Sequence, residues 1–235
     1  MKRLTFSMLI LFFVHLSAFA QRPDLPGSLL LDVGVNSWST SPTDIELNGF
    51  QSKTVGLTYF YDFPIGDSKF TFTPGFGFTF EKFSIENDFT IIGSIDANGE
   101  RSVNAVSLTD LTENVLEFGK SKIGMNYFEI PVEFRFYSRK NDYRRGIRAA
   151  LGAKAGILYS SFIKYRFEDS VGDQNLVKNR GDLGVTRFRY GLQARLGVGF
   201  FSLFAYYELS DKFKTPPPGG ENTQNLTFGI SVIGF

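Results

Sequence analysis

Between Lys69 and Phe83 the chain reads KFTFTPGFGFTFEKF. At a period of two, Phe70, Phe72, Pro74, Phe76, Phe78 and Phe80 share one face, while Lys69, Thr71, Thr73, Gly75, Gly77, Thr79 and Glu81 share the other. A helix, with its period of 3.6, would scatter the phenylalanines around its whole circumference. The segment is therefore a strand with one apolar and one polar side. Phenylalanine at five of six apolar positions is a heavy load for a core-facing strand. It suggests a membrane barrel strand, apolar toward lipid and polar toward a lumen. On this segment alone, a soluble β-sandwich or a lipocalin-like barrel is the alternative.

The same alternation recurs in eight segments: 29–36, 52–63, 69–83, 127–137, 147–159, 186–200, 201–209 and 225–235. The connections between them sort by parity. Those at 37–51, 84–125, 160–185 and 210–223 are long and polar; the last carries Pro216-Pro217-Pro218-Gly219-Gly220, which no strand interior tolerates. Those at 64–67, at 138–146 and near Gly199 are short. A membrane meander produces this asymmetry, with short turns in the periplasm and long loops outside. The expected fold is all-β: an eight-stranded antiparallel transmembrane up-and-down β-barrel in the cell outer membrane, with long extracellular loops and short periplasmic turns.

The chain starts Met1-Lys2-Arg3, continues with an apolar run over 4–19 and reaches a small-x-small site at Ala18-Phe19-Ala20. This predicts a signal peptide over 1–20, cleaved to leave a single barrel domain over 21–235. Cleavage would change Lys+Arg 25 against Asp+Glu 24 into 23 against 24, because Lys2 and Arg3 are lost. A near-neutral chain has no global field for nucleic acid. The only histidine, His15, leaves with the signal peptide, and there is no cysteine. Ser-His and Cys-His pairs, His or Cys metal sites and disulfides are thereby excluded. No catalytic, cofactor or metal residues are expected, and the chain is read as a non-enzyme.

The inward faces predict Asp32, Glu81, Glu129, Glu133 and Glu208 together with Arg135, Arg148, Lys154, Arg187, Arg189 and Arg195. An eight-stranded barrel is just wide enough for side chains to fill, so no open pore is expected. Charges in such a lumen must pair. Glu129, Glu133, Arg135, Arg148, Lys154, Arg187, Arg189 and Arg195 are read as a structural luminal charge network rather than an ion path or carboxylate active site. Tyr59, Tyr61, Tyr127, Tyr137, Tyr159, Tyr190 and Tyr207 are expected at the membrane interfaces.

Three stretches carry a family likeness: Ala18 to Gln21, the strand Tyr127-Phe128-Glu129-Ile130-Pro131-Val132-Glu133-Phe134-Arg135-Phe136, and Leu151-Gly152-Ala153-Lys154-Ala155-Gly156 followed by Lys164-Tyr165-Arg166. With these the chain resembles the PorT-like outer-membrane β-barrel family of the Bacteroidota. The resemblance implies a small integral outer-membrane protein with no enzymatic site and no cofactor. It would act as an accessory or assembly component of an envelope complex such as type IX secretion. Its partners would be outer-membrane lipid and other outer-membrane or periplasmic secretion components. The alternative is a surface-exposed binding or adhesion barrel acting through loops 84–125 and 160–185.

Overall fold

The computed structural model describes residues 27–95, 101–111, 115–139, 146–181 and 183–234. The expected signal peptide and most of the basic connection 138–146 lie outside the described residues. In chain order the elements are β1 (Ser28–Trp38), β2 (Lys53–Phe60), β3 (Phe63–Pro64), β4 (Phe70–Ile85), β5 (Phe89–Ile95), β6 (Arg101–Ser107), α1 (Leu108–Leu111), β7 (Val115–Phe118), β8 (Ser121–Tyr137), β9 (Ile147–Asp169), β10 (Gln174–Arg180), β11 (Phe188–Val198), β12 (Phe201–Glu208) and β13 (Asn225–Gly234).

Eight of these strands, β1, β2, β4, β8, β9, β11, β12 and β13, pair antiparallel in that order. The ring closes where β1 meets β13, with Leu31 opposite Val232 and Val33 opposite Ile230. Closure leaves no edge along the barrel wall, so every strand finds both neighbours.

The alternation in the sequence becomes inside and outside. Along β11, Phe188, Tyr190, Leu192 and Leu196 are exposed, while Arg189, Gln193 and Arg195 are buried. Phe70, Phe72, Phe76, Phe78 and Phe80 of β4 all point outward. An apolar wall of this extent far exceeds what a soluble monomer shows to water, and lipid is the medium it fits. The 11 residues of β11, at about 3.3 Å each and a tilt of about 40°, rise about 28 Å, close to the apolar band of a membrane barrel.

The wall carries aromatic rings at both ends. Tyr159, Tyr190 and Tyr207 are exposed near the loop-bearing end, and Tyr61 with Phe63 at the short-turn end. Tyr127 and Tyr137, expected at the interfaces, are buried and point inward. They occupy the same phase of β8 as Glu129, Glu133 and Arg135, and the period of two carries them to the lumen side.

The long connections differ most from expectation. The stretch 84–125, read as a polar excursion, holds the β5–β6 hairpin, α1, β7 and the start of β8. The stretch 160–185 continues β9 to 23 residues and returns as β10, paired from Phe162 to Glu168. Together with the loops at 39–52 and 210–223 they form a dome with its own apolar core. Trp38, Ile45, Phe83, Ile85, Ile91, Val103, Ile123, Met125, Tyr127, Ile163, Leu183, Val185 and Phe213 pack there. Ile91 is fully buried although its surroundings are polar in sequence. The Trp38 ring lies 5.1 Å from that of Phe83 and meets Phe213 edge-on at 5.7 Å.

Candidate functional site

Among the described residues, buried charge concentrates in the lumen, and β8 organises it. Its inward positions alternate Tyr127, Glu129, Pro131, Glu133, Arg135 and Tyr137, and the facing strands leave room for the glutamates. Gly156 lies directly opposite Glu129 and Gly152 opposite Glu133. A Cβ at Gly156 would come within 3.1 Å of Glu129 Cγ, and one at Gly152 within 3.0 Å of Glu133 Cγ. Inward glycine beside inward glutamate is thus a paired pattern, in which one strand supplies the side chain and its neighbour the space.

Toward the dome, Arg189 is the hub. Its Nη1 donates to Glu81 Oε1 at 2.6 Å and its Nε to Glu129 Oε1 at 2.9 Å. Its guanidinium stacks on the Tyr127 ring at 3.5 Å. Glu129 also accepts from the Thr79 hydroxyl and pairs with Lys154 Nζ at 3.0 Å. Lys212 reaches down from the 210–223 loop and pairs with Glu208 at 2.6 Å and Glu81 at 3.5 Å.

Toward the short-turn end, Arg195 and Glu133 take over. Arg195 holds Asp32 in a bidentate pair, Nη1 to Oδ1 and Nη2 to Oδ2, both 2.7 Å. It also donates to the Ser231 hydroxyl, and its Nε donates to Glu133 Oε1 at 2.7 Å. Glu133 accepts in addition from Arg135 Nε at 2.6 Å and Gln193 Nε2 at 2.8 Å. Arg135 continues to Asp62 at 3.3 Å and lies over the Phe60 ring at 4.3 Å. Arg148 donates to the Ser202 hydroxyl at 2.7 Å and more weakly to the Gly199 carbonyl.

Of the luminal residues expected from sequence, Glu129, Glu133, Arg135, Arg148, Lys154, Arg189 and Arg195 line this column. Arg187 does not: it is exposed, on the segment leading into β11, where its carbonyl accepts from the Leu158 N–H. The alternation that points Arg189 inward begins only with β11 itself. Asp32, Glu81 and Glu208, expected on the inward faces but not named in the network, join it, and two further members, Asp62 and Lys212, were in neither set. Asp62 follows the end of β2, and Lys212 sits in a proline-rich loop with no periodicity to orient it. With them the described column balances, six carboxylates (Asp32, Asp62, Glu81, Glu129, Glu133, Glu208) against six cations (Arg135, Arg148, Lys154, Arg189, Arg195, Lys212).

Little space remains. The cavity between Asp32, Glu81, Lys154 and Tyr206 has a volume of about 10 Å³, at most room for one water molecule. Buried ion pairs balanced in this way fill the lumen, and separating them would strand charges at low dielectric. Among the described residues, no group of acidic side chains is arranged to hold a metal ion. No helix among them is long and apolar enough to cross a membrane, which says nothing about crossing by strands.

Comparison with curated proteins and with solved structures finds no match. The profile of a family described as outer membrane protein beta-barrel domain matches residues 19–212. That match spans all but the last of the eight wall strands, and the closed barrel with its apolar wall agrees with it. The chain belongs to the family of outer membrane protein β-barrel domains.

Proposed function

We propose that this protein resides in the outer membrane as a non-enzymatic barrel and works through partners, as an accessory or assembly component of an envelope complex such as type IX protein secretion. The observation that carries the reading is the sealed lumen. A column of balanced ion pairs, whose cavity between Asp32, Glu81, Lys154 and Tyr206 measures only about 10 Å³, favours neither transport nor access of a substrate, and leaves the outer surfaces to do the work. The likeness to PorT-related barrels in the 127–136 strand supports the secretion assignment. Affinity purification of the tagged protein from native outer membranes in mild detergent, followed by mass spectrometry, tests it. Near-stoichiometric secretion components are the expected result, and recovery of a solitary barrel would overturn it.

A second reading, a surface-exposed binding or adhesion barrel, is favoured by one observation. The loops on the dome side are not loose excursions but pack around a buried apolar core, a stable platform for a ligand. Shortening the β5–β6 hairpin should then abolish surface binding while the barrel still folds.

A further inference from the structure

The outward face of the barrel changes character just above the apolar belt. On β2, Lys53 follows outward Val55; on β4, Lys82 follows outward Phe80 and Phe78; on β8, Lys122 lies on the same side as Phe128 and Ile130. The register then sets like charges side by side. Lys53 is directly opposite Lys82, Lys122 opposite Lys164, and Lys164 opposite Lys178 of β10. Cross-strand partners have Cβ atoms about 5 Å apart, and like charges in that position repel. Three such pairs in one row cost stability unless something anionic lies across them.

Nothing described in the chain supplies that anion. Lys120 donates to Gln51 Oε1 and Lys178 lies over the Phe162 ring. No carboxylate among the described residues pairs with Lys53, Lys82, Lys122, Lys164 or Arg166. Lys120, Lys122, Lys164 and Arg166 line an open cleft of about 470 Å³, whose acidic residues, Glu117 and Glu168, sit farther from the membrane. Above the belt, burial, and after it the charges of Lys120, Lys82, Lys164 and Arg166, hold the Lys122 ammonium below its usual range. Phe162 fills the outward space over Gly124, between the lysines. Lysines with an aromatic ring at the upper margin of a lipid-facing wall are placed at the depth of lipid headgroups.

We propose that this lysine row on β2, β4, β8, β9 and β10 binds the phosphate of an anionic lipid in the outer leaflet, whose acyl chains lie against Phe78, Phe80 and Phe128. The proposal rests on the outer-membrane placement argued above, and not on any protein partner. Each lysine at a membrane surface contributes about fivefold in affinity for anionic lipid. The test uses the full-length barrel in neutral maltoside micelles, titrated with short-chain phosphatidic acid, short-chain phosphatidylcholine and inorganic phosphate, and read by native mass spectrometry. Phosphatidic acid should be retained over phosphatidylcholine. The combined Lys53→Gln, Lys82→Gln, Lys122→Gln and Lys164→Gln variant should lose on the order of 10²-fold or more in affinity, while Lys69→Gln at the opposite end of the wall loses nothing.

Equal retention of the two lipids, or of phosphatidic acid by wild type and the combined variant, would overturn the proposal. Inorganic phosphate binding as tightly as phosphatidic acid would overturn the lipid assignment, leaving a free-anion site. Should the combined variant not fold, Lys164→Gln alone and the ionic-strength dependence of wild-type binding decide, since binding through this row must weaken as salt rises. Co-purification of secretion components is read separately, so failure of either proposal leaves the other standing.

Discussion

Glu133→Gln tests whether the luminal column is a plug held by charge balance. Glu133 is fully buried and accepts from Arg135 Nε at 2.6 Å, Arg195 Nε at 2.7 Å and Gln193 Nε2 at 2.8 Å. Glutamine keeps the volume and one carbonyl oxygen, but it turns an amide N–H toward a guanidinium N–H and removes the charge shared by two arginines. Breaking a buried pair costs about 3–5 kcal/mol because the other partner is left uncompensated. Arg195 retains its bidentate Asp32 and Arg135 retains Asp62, so the lower end, about 3 kcal/mol, is expected. Adding Arg135→Met removes the stranded cation, and the Asp62 it releases is part-exposed and can be solvated. The double variant should recover at least about 1.5 kcal/mol relative to the sum of the single effects. Urea unfolding of the barrel in phosphatidylcholine vesicles, followed by the sheet signal in far-ultraviolet circular dichroism, measures both. A single variant within about 0.5 kcal/mol of wild type, or a double variant no better than additive, would refute charge balance as the organising term. Planar-bilayer recordings on the same samples should show no conductance for wild type.

Phe213→Ala removes the edge-on partner of Trp38 in the dome. It should cost about 3 kcal/mol and shift the emission of Trp38, the only tryptophan, to the red, while the barrel's sheet signal keeps its own transition. Gly229→Val places a Cβ 2.2 Å from the Val33 carbonyl and 2.7 Å from the Phe204 ring. Backbone cannot give way as a side-chain tip can, so a loss of about 3 kcal/mol or failure to refold, seen as loss of the folded band on unheated gels, is expected. At the β9–β10 turn, Asp169 accepts from the Val171 and Asp173 N–H groups and from Asn175. The Asp173 N–H, followed by that of Val171 and by Asn175, holds its carboxyl below the ordinary value. A depressed folded value means that its contribution is present above the unfolded value and lost as pH falls through the folded one. Amide-exchange protection at Val171 and Asp173, whose N–H groups donate to that carboxylate, should fall across that acidic window in wild type. In Asp169→Ala, which leaves neither N–H an acceptor, it should be low and pH-independent.

The barrel itself was legible from the residues. A closed antiparallel wall imposes one rule, in–out alternation, and β1, β2, β4, β11, β12 and β13 follow it with little interruption. The same rule names Glu129, Glu133, Arg135, Arg189 and Arg195 as inward, since period two is a local property of an extended chain. What it could not reach is everything that depends on residues distant in sequence. Ile91, Val103 and Phe213 carry no shared period, yet they meet in the dome because four connections fold over the same end of the barrel. Lys212 joins Glu81, far away in sequence, only because its loop dips into the lumen. The phase of Tyr127 and Tyr137 was available in sequence, but their side chains were read by residue type. Burial beside Arg189 and Arg135 outweighed the preference of tyrosine for the interface. Likewise each lysine of the outer row is an ordinary outward residue along its own strand. Register alone sets Lys53 against Lys82 and Lys122 against Lys164. Alternation along the chain therefore determined which side of the wall each strand residue faces, whereas pairing across strands and loop packing decided which charges meet, because those distances are set only when the barrel closes.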